Sequence, residues 1–198
     1  GLYFYLSYFQ FESSYFIMMR KTLISIVCLA ACTIHATTYA KDYASKVNTL
    51  IGTDYTGNTY PGAQVPFGMV QLSPDNGLPG WDRIAGYFYP DSTIAGFSHT
   101  HLLGTGAGDL YDISFMPVTL PYNEAEEPLG IHSRFSHKDE TAHAGYYQVR
   151  LTDYDINVEL TATPRCGVQR YTFPNDGKER MVILDLNKAM NWDATVDS

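Results

Sequence analysis

Within the run GFSHTHLLGTGAGD (residues 96–109), His99 and His101 stand two apart, Gly104, Gly106 and Gly108 follow, and Asp109 closes the stretch. Each feature points to a different chemistry. On an extended chain residues i and i+2 share one side, so both imidazoles could face a cation. Zinc needs three or four ligands with hydrogen-bonded supporters, and only Asp109 or His132 offers help. A phosphate cradle needs Lys and Ser/Thr after its last glycine, whereas Gly108 is followed by Asp109 and Leu110. The glycine spacing is not that of a dinucleotide loop, no helical pattern follows, and the acid would repel phosphate. Nucleotide binding is excluded. The third chemistry is that of a sugar: a glycine-rich loop lets backbone approach a polar ligand, histidines donate hydrogen bonds, and aromatic rings wall its apolar face. Trp81-Asp82 and Gly86-Tyr87-Phe88-Tyr89 lie just upstream to supply that wall. The bland alternatives are hydrogen-bonded structural histidines and a core tryptophan. Unaided, the residues say "polar-ligand site".

The elements that must position these residues read as β. From Lys41 onward no segment holds a 3.6-residue apolar period long enough for a helix. Residues 67–73 (FGMVQLS) form a strand-like run between prolines, and 111–120 (YDISFMPVTL) alternates until Pro117 interrupts it. Residues 147–151 and 156–160 alternate cleanly around a turn at Asp153-Tyr154-Asp155. Residues 168–173 and 181–186 add two strands separated by Pro174-Asn175-Asp176-Gly177, a strong turn signal. Short strands with frequent turns predict an all-β, antiparallel β-sandwich. The irregular, Gly/Pro-rich stretch between Gly52 and Gly108 is of the kind that builds a binding surface.

Composition fits an ordered domain: 45% of the 198 residues are hydrophobic and 17% charged. With 13 Lys+Arg against 21 Asp+Glu and a net charge of −8, no basic stripe suits nucleic acid. Residues 1–17 read as upstream translation from a mis-assigned start. Residues 18–40 read as a signal peptide, with Met18-Met19-Arg20-Lys21 as a positive start and an apolar run over 22–32 too short to span a bilayer. Cleavage after Ala40 yields an exported, periplasmic protein, whereas Leu29-Ala30-Ala31-Cys32 resembles a lipobox that would anchor it to the outer membrane. Removing the leader leaves Cys166, which is expected to be a small buried residue. Residues 41–198 form the domain, which ends without a closing strand and is expected to be incomplete.

Several motifs then occur in order: VNTLIGTDYTGNTYPGAQVPFGMVQLSPD (47–75), GWD…GYFYPDSTIAGFSHTHLLGTGAGD (80–109) and ELTATPRCGVQRYTFP (159–174). Together they resemble the N-terminal domain of the glycoside hydrolase family 92 mannosidases, across essentially 41–198. The resemblance implies a calcium-dependent, inverting exo-α-mannosidase of the kind common in gut Bacteroidetes, acting on mannose-containing glycans such as N-glycans. It implies a β-sandwich joined to a C-terminal (α/α)6 barrel, with the active site at the seam and the catalytic carboxylates in the barrel. No catalytic residue is then expected in this fragment, which alone should be inactive; Asp75, Asp82, Asp109 and Asp112 read as turn and loop residues. By carry-over, Trp81, Asp82, Tyr87, His99 and His101 form the N-terminal wall of the mannose pocket. Asn48 is the one expected ligand to Ca2+.

This chain departs from the family pattern in two places. Thr49-Leu50 replaces a proline and an aromatic, which should loosen that loop. In WDRIAGYFY, Phe88 removes a donor and Arg83 brings charge to the pocket rim, which would favour phosphorylated or otherwise substituted mannosides. A free-standing carbohydrate-binding module and a structural surface lipoprotein stand as rival classes.

Overall fold

A computed structural model describes residues 18–25, 41–104, 110–122 and 130–186. The chain divides into two units, Gly1–Asp42 and Tyr43–Ser198. In the first, residues 18–25 are helical. Among the described residues no helix is long and apolar enough to cross a membrane. Residues 1–17, the expected cleavage region 26–40, Asp109 and the segment 187–198 lie outside the described residues.

The second unit is the expected antiparallel β-sandwich. One sheet contains β1 (Ala63–Gln64), β2 (Gln71–Asp75), β4 (Gly96–Ser98), β5 (Ser114–Thr119) and β11 (Arg180–Asp185), hydrogen-bonded in that order. The other runs β10 (Gly167–Thr172), β9 (Ile156–Ala162), β8 (Tyr146–Leu151), β7 (Glu140–His143). A two-stranded ribbon pairs β3 (Thr93–Ile94) with β6 (Ser133–Arg134). Alternation decides the core: Tyr147, Val149 and Leu151 oppose Leu160, Val158 and Ile156 across the β8–β9 pair, and all six are buried. They meet Leu72, Phe97, Met116 and Val118 from the five-stranded sheet. Each such side chain, fully buried, contributes about 1.5–3 kcal/mol relative to exposure.

Two local expectations are revised, and a third is met. Pro117 does not interrupt β5 but pairs with Val182; β4 reaches β5 only at Phe115, so the proline lies where no β4 ladder bond is needed. The expected turn is present as a bend over 175–177, and it carries the chain from β10 to β11 in the other sheet. Cys166 is exposed, in the turn before β10, where its N–H donates to Thr163 Oγ1 at 3.0 Å.

Candidate functional site

The loops around the ends of β2 and β4 collect most of the sequence-predicted residues. Trp81, Asp82 and Arg83 form a 3₁₀ turn. Its entry, Gly80, has φ +154°, and its exit residue Ile84 is buried. Arg83 folds back on Asp91, donating from Nε and Nη2 at 2.6 Å each, and its guanidinium covers the Phe88 ring at 4.7 Å. Asp91's hydrogen bond is the chief cause that holds Arg83 further above its ordinary pKa. The positive charge expected at the rim is therefore spent on an internal clamp, which removes the argument for substituted mannosides. Trp81 itself is 57% exposed, and Asp82 is exposed beside it. The core-tryptophan alternative fails.

His101 and Tyr87 are assigned different work from that expected. The His101 ring is buried, with Nδ1 donating to the Gln71 carbonyl at 2.7 Å and Nε2 lying 2.8 Å from Asp75 Oδ1 and 3.1 Å from Ser98 Oγ. A carbonyl only accepts, so Nδ1 carries a hydrogen. Tyr60 and Tyr111 pack on the ring at centroid distances of 4.9 and 5.2 Å. The Tyr111 hydroxyl donates to the Ile84 carbonyl, which fastens this pair to the turn bearing Trp81. Gly86 closes the cluster: a Cβ there would lie 2.6 Å from Asp75 Oδ1 and 2.5 Å from the Tyr111 ring. Asp75 Oδ2 and Ser73 Oγ are buried without a hydrogen-bond partner among the described residues.

Tyr87 is equally interior. Its hydroxyl donates to Glu140 at 2.9 Å, Tyr147 donates to the same carboxylate at 2.6 Å, and His137 Nδ1 lies 2.6 Å from Glu140 Oε2. Burial, then the Glu140 charge, pushes both phenols upward, so they are hydrogen-bond donors and not bases. No single-sequence signal marks Glu140 as the hub, because its partners come from segments distant in the chain.

His99 and His101 do not share a site. β4 ends at Ser98, so the i, i+2 argument lapses just where it is needed. His99 is half-buried instead against Phe115, with Nδ1 3.0 Å from the Ile113 carbonyl and its ring over Gly167, where a Cβ would come within 2.8 Å. Among the described residues no three His, Cys, Asp or Glu side chains converge on a metal position. Asn48 is exposed and its Oδ1 accepts the Leu50 N–H at 3.0 Å, closing a turn. A hard cation asks for six to eight oxygens, and one amide oxygen already so engaged does not make that cage. Nor is the loop loose, since Thr53 N–H donates to the Leu50 carbonyl and Leu50 packs on the core.

Backbone strain is concentrated here too. Of the seven described non-glycine residues with positive φ, six (Tyr55, Asn58, Phe67, Leu110, Tyr111 and Ile113) fall between 55 and 113. Such conformations cost of order 1–3 kcal/mol each and gather at active sites and ligand clamps.

The comparisons with known proteins agree with this geometry. The glycosyl hydrolase family 92 N-terminal domain matches residues 46–198. A family 92 α-mannosidase of Bacteroides thetaiotaomicron, solved with mannoimidazole, is 40% identical with a TM-score of 0.71, over 76% of this chain and 20% of that one. An inverting family 92 mannosidase of the same species is 29% identical with a TM-score of 0.60, over 75% and 20%. An uncharacterized secreted glycosidase of Arthroderma benhamiae is 26% identical across 166 residues, 76% of this chain and 20% of that protein. The chain thus spans about a fifth of the length of these relatives. It belongs to glycosyl hydrolase family 92, as an N-terminal domain.

Proposed function

We propose that the chain is the sugar-recognising N-terminal domain of an exported, calcium-dependent α-mannosidase that inverts the anomeric centre of terminal mannose in glycans. The observation that carries this reading is Trp81, more than half exposed on a turn clamped by Arg83–Asp91 and fastened to the buried Asp75–His101 pair. A rigid, exposed indole beside a carboxylate suits the apolar face and flanking hydroxyls of a pyranose. Asp82 and Trp81 contact the sugar in this reading, and His99 borders it. Tyr87 and His101 hold the wall from behind. The relatives add support, one being a mannosidase solved with mannoimidazole, one an inverting mannosidase, and one named as secreted.

Inversion needs an acid and a base about 6.5–9.5 Å apart with a water between them. Among the described residues the buried or half-buried carboxylates are engaged: Asp75 with His101, Asp91 with Arg83, Asp153 with Arg134, Glu159 with Arg170, and Glu140 with two phenols and an imidazole. We therefore assign the acid and base to the rest of the family 92 polypeptide, together with the calcium ligands. When bound, calcium supplies a local positive charge that polarises sugar hydroxyls.

Titration calorimetry with mannobiose tests the reading. Trp81→Ala should abolish binding while leaving the melting temperature unchanged, because the ring is exposed. In the longer enzyme the same change should lower kcat/KM, and EDTA should silence activity until Ca2+ is restored. Equal affinity in wild type and variant removes Trp81 from the site.

A further inference from the structure

Asn76-Gly77 and Asp176-Gly177 are the two places in the chain where an amide or carboxyl side chain stands directly before a glycine. Such a pair can rearrange without an enzyme. The glycine nitrogen attacks the side-chain carbonyl carbon and a five-membered succinimide closes, with no glycine Cβ to obstruct it. Both glycines lie in the left-handed region, φ +82° at Gly77 and +75° at Gly177. By chemistry alone Asn76 should react first, because an amide loses ammonia more readily than an ionised carboxyl loses oxygen. The structure reverses that order.

Asn76 follows β2 and is fully buried. Its Nδ2 donates to the Thr93 carbonyl at 2.7 Å, its Oδ1 accepts the Phe88 N–H, and its own N–H donates to the Gly86 carbonyl at 2.8 Å. Turning its Cγ onto the Gly77 nitrogen would break both side-chain bonds and strip the Thr93 carbonyl and the Phe88 N–H of these partners, which is costly inside a protein. Asp176 is the opposite case. It is exposed on the bend between β10 and β11, as are Asn175, Gly177 and Lys178. A Cβ at Gly177 would meet nothing within 4 Å, so no neighbour crowds the ring that must close. Asp176 Oδ1 accepts the Lys178 N–H at 3.1 Å. That local bond folds the carboxyl back toward the main chain of Gly177.

We propose that Asp176-Gly177 is a site of spontaneous isoaspartate formation in the folded chain, and that Asn76-Gly77 is locked against the equivalent reaction. With the Asp176 carboxyl protonated, the Gly177 nitrogen bonds to Cγ while the amide hydrogen and the carboxyl hydroxyl leave together as water. Water then opens the succinimide. Attack at Cγ restores aspartate. Attack at the main-chain carbonyl frees the α-carboxylate and routes the chain through Cγ, with one more backbone carbon and no net change in mass. Lys178 holds the Asp176 carboxyl below the ordinary carboxylate range, first through its N–H. The ionised form is the slower to react, so this is a reaction of ageing and not a rapid switch. The lengthened bend strains the contacts that flank it, from Arg180 Nη2 to the Pro174 carbonyl at 3.1 Å and from the Leu120 N–H to the Glu179 carbonyl at 3.0 Å, just where β11 begins. The freed α-carboxylate is of the class that a carboxyl methyltransferase accepts.

The folded chain, aged for weeks in warm neutral buffer and digested with trypsin, should contain isoaspartate in the peptide 171–178. The probe is an isoaspartyl methyltransferase with labelled S-adenosylmethionine, which should place label in that peptide. Asn76 should stay intact in the same sample. In guanidinium chloride the order should invert, with Asn76 deamidating several-fold faster than Asp176 isomerises. Asp176→Glu keeps the charge at the bend but would need a six-membered ring, which closes far more slowly, and should abolish label in 171–178. Absence of label there from the aged native chain overturns the proposal. So does label that persists in Asp176→Glu, since the reacting residue would then be Asn175. Deamidation of Asn76 in the folded chain as fast as in denaturant also overturns it, because the Thr93 and Phe88 bonds would then hold nothing. None of these readouts depends on sugar binding.

Discussion

Gly86→Ala against Gly145→Ala measures how tightly the Asp75–His101–Tyr111 cluster is closed. The two glycines have nearly the same backbone, φ +86° and +78°, and so should incur nearly the same cost for a Cβ in the left-handed region, roughly 1–2 kcal/mol. They differ in surroundings. At Gly145, in the β7–β8 hairpin, a Cβ meets nothing within 4 Å. At Gly86 it meets the Tyr111 ring at 2.5 Å, Asp75 Oδ1 at 2.6 Å and the His101 ring at 3.2 Å. None of the three can retreat easily: Tyr111 is 1% exposed and bonded to the Ile84 carbonyl, and Asp75 is held by His101. Overpacking of this kind costs typically ~1–3 kcal/mol. The difference between the variants is thus about 2 kcal/mol, or about 4–8 °C in melting temperature for a domain of this size. Differential scanning calorimetry of both variants reads it directly. Equal drops would mean that the cluster yields without cost, and the rigid support claimed for Trp81 would go with it.

Two further outcomes follow from the hydrogen bonds. Tyr87→Phe takes one donor from the buried Glu140 carboxylate and should cost about 1–3 kcal/mol, seen as a lower melting temperature with unchanged mannobiose affinity; an affinity loss without a stability loss would return Tyr87 to the sugar pocket. Glu159 is held below the ordinary carboxylate range first by the hydrogen bond from Arg170 and then by that from Tyr146. A depressed value adds stability that is present above the unfolded pKa of ~4.3 and lost as pH falls through the folded one. Arg170→Met should therefore lower stability at pH 7 by a small, salt-sensitive amount and converge with wild type in acid. Parallel pH–stability curves for the two proteins would refute it.

What was legible in the sequence was the part fixed by local periodicity. β8, β9 and their turn follow from alternation that places Tyr147, Val149 and Leu151 on one face, and those residues are the core. Pairing information is not local. β4 is three residues long and β1 two, too short to show a period, and their burial comes from neighbours contributed by β2 and β9. The same limit governs the site. Trp81 was legible as an aromatic in a Gly-rich stretch, but the fate of Arg83 depends on Asp91, eight residues on, which pulls its charge inward. His99 and His101 looked alike because their spacing was read as strand geometry. In the structure the strand stops at Ser98, and each imidazole is taken by a carbonyl from a different segment, that of Gln71 at the start of β2 for His101 and that of Ile113 for His99.

That divergence bears on how the domain does its work. Among the sequence-predicted residues, the two best satisfied internally, His101 and Tyr87, are buried, and each lies behind an exposed residue it helps hold: His101 through Tyr111 and Ile84 behind Trp81, Tyr87 through His137 behind Tyr89. In the second case the rings of Tyr89 and His137 stack at 4.0 Å, and His137 Nε2 donates to the Tyr89 carbonyl at 2.7 Å. In the proposed reading, a ligand wall built in this way loses little entropy on binding, since the exposed aromatics are already positioned by buried or half-buried groups. Sugars bind weakly through many partly compensated hydrogen bonds, so under the proposed function positioning the wall in advance is where this domain would gain affinity. The same reasoning explains why the strain lies in 55–113 and not in the hairpins of the four-stranded sheet, where Asp155 is the one non-glycine residue at positive φ.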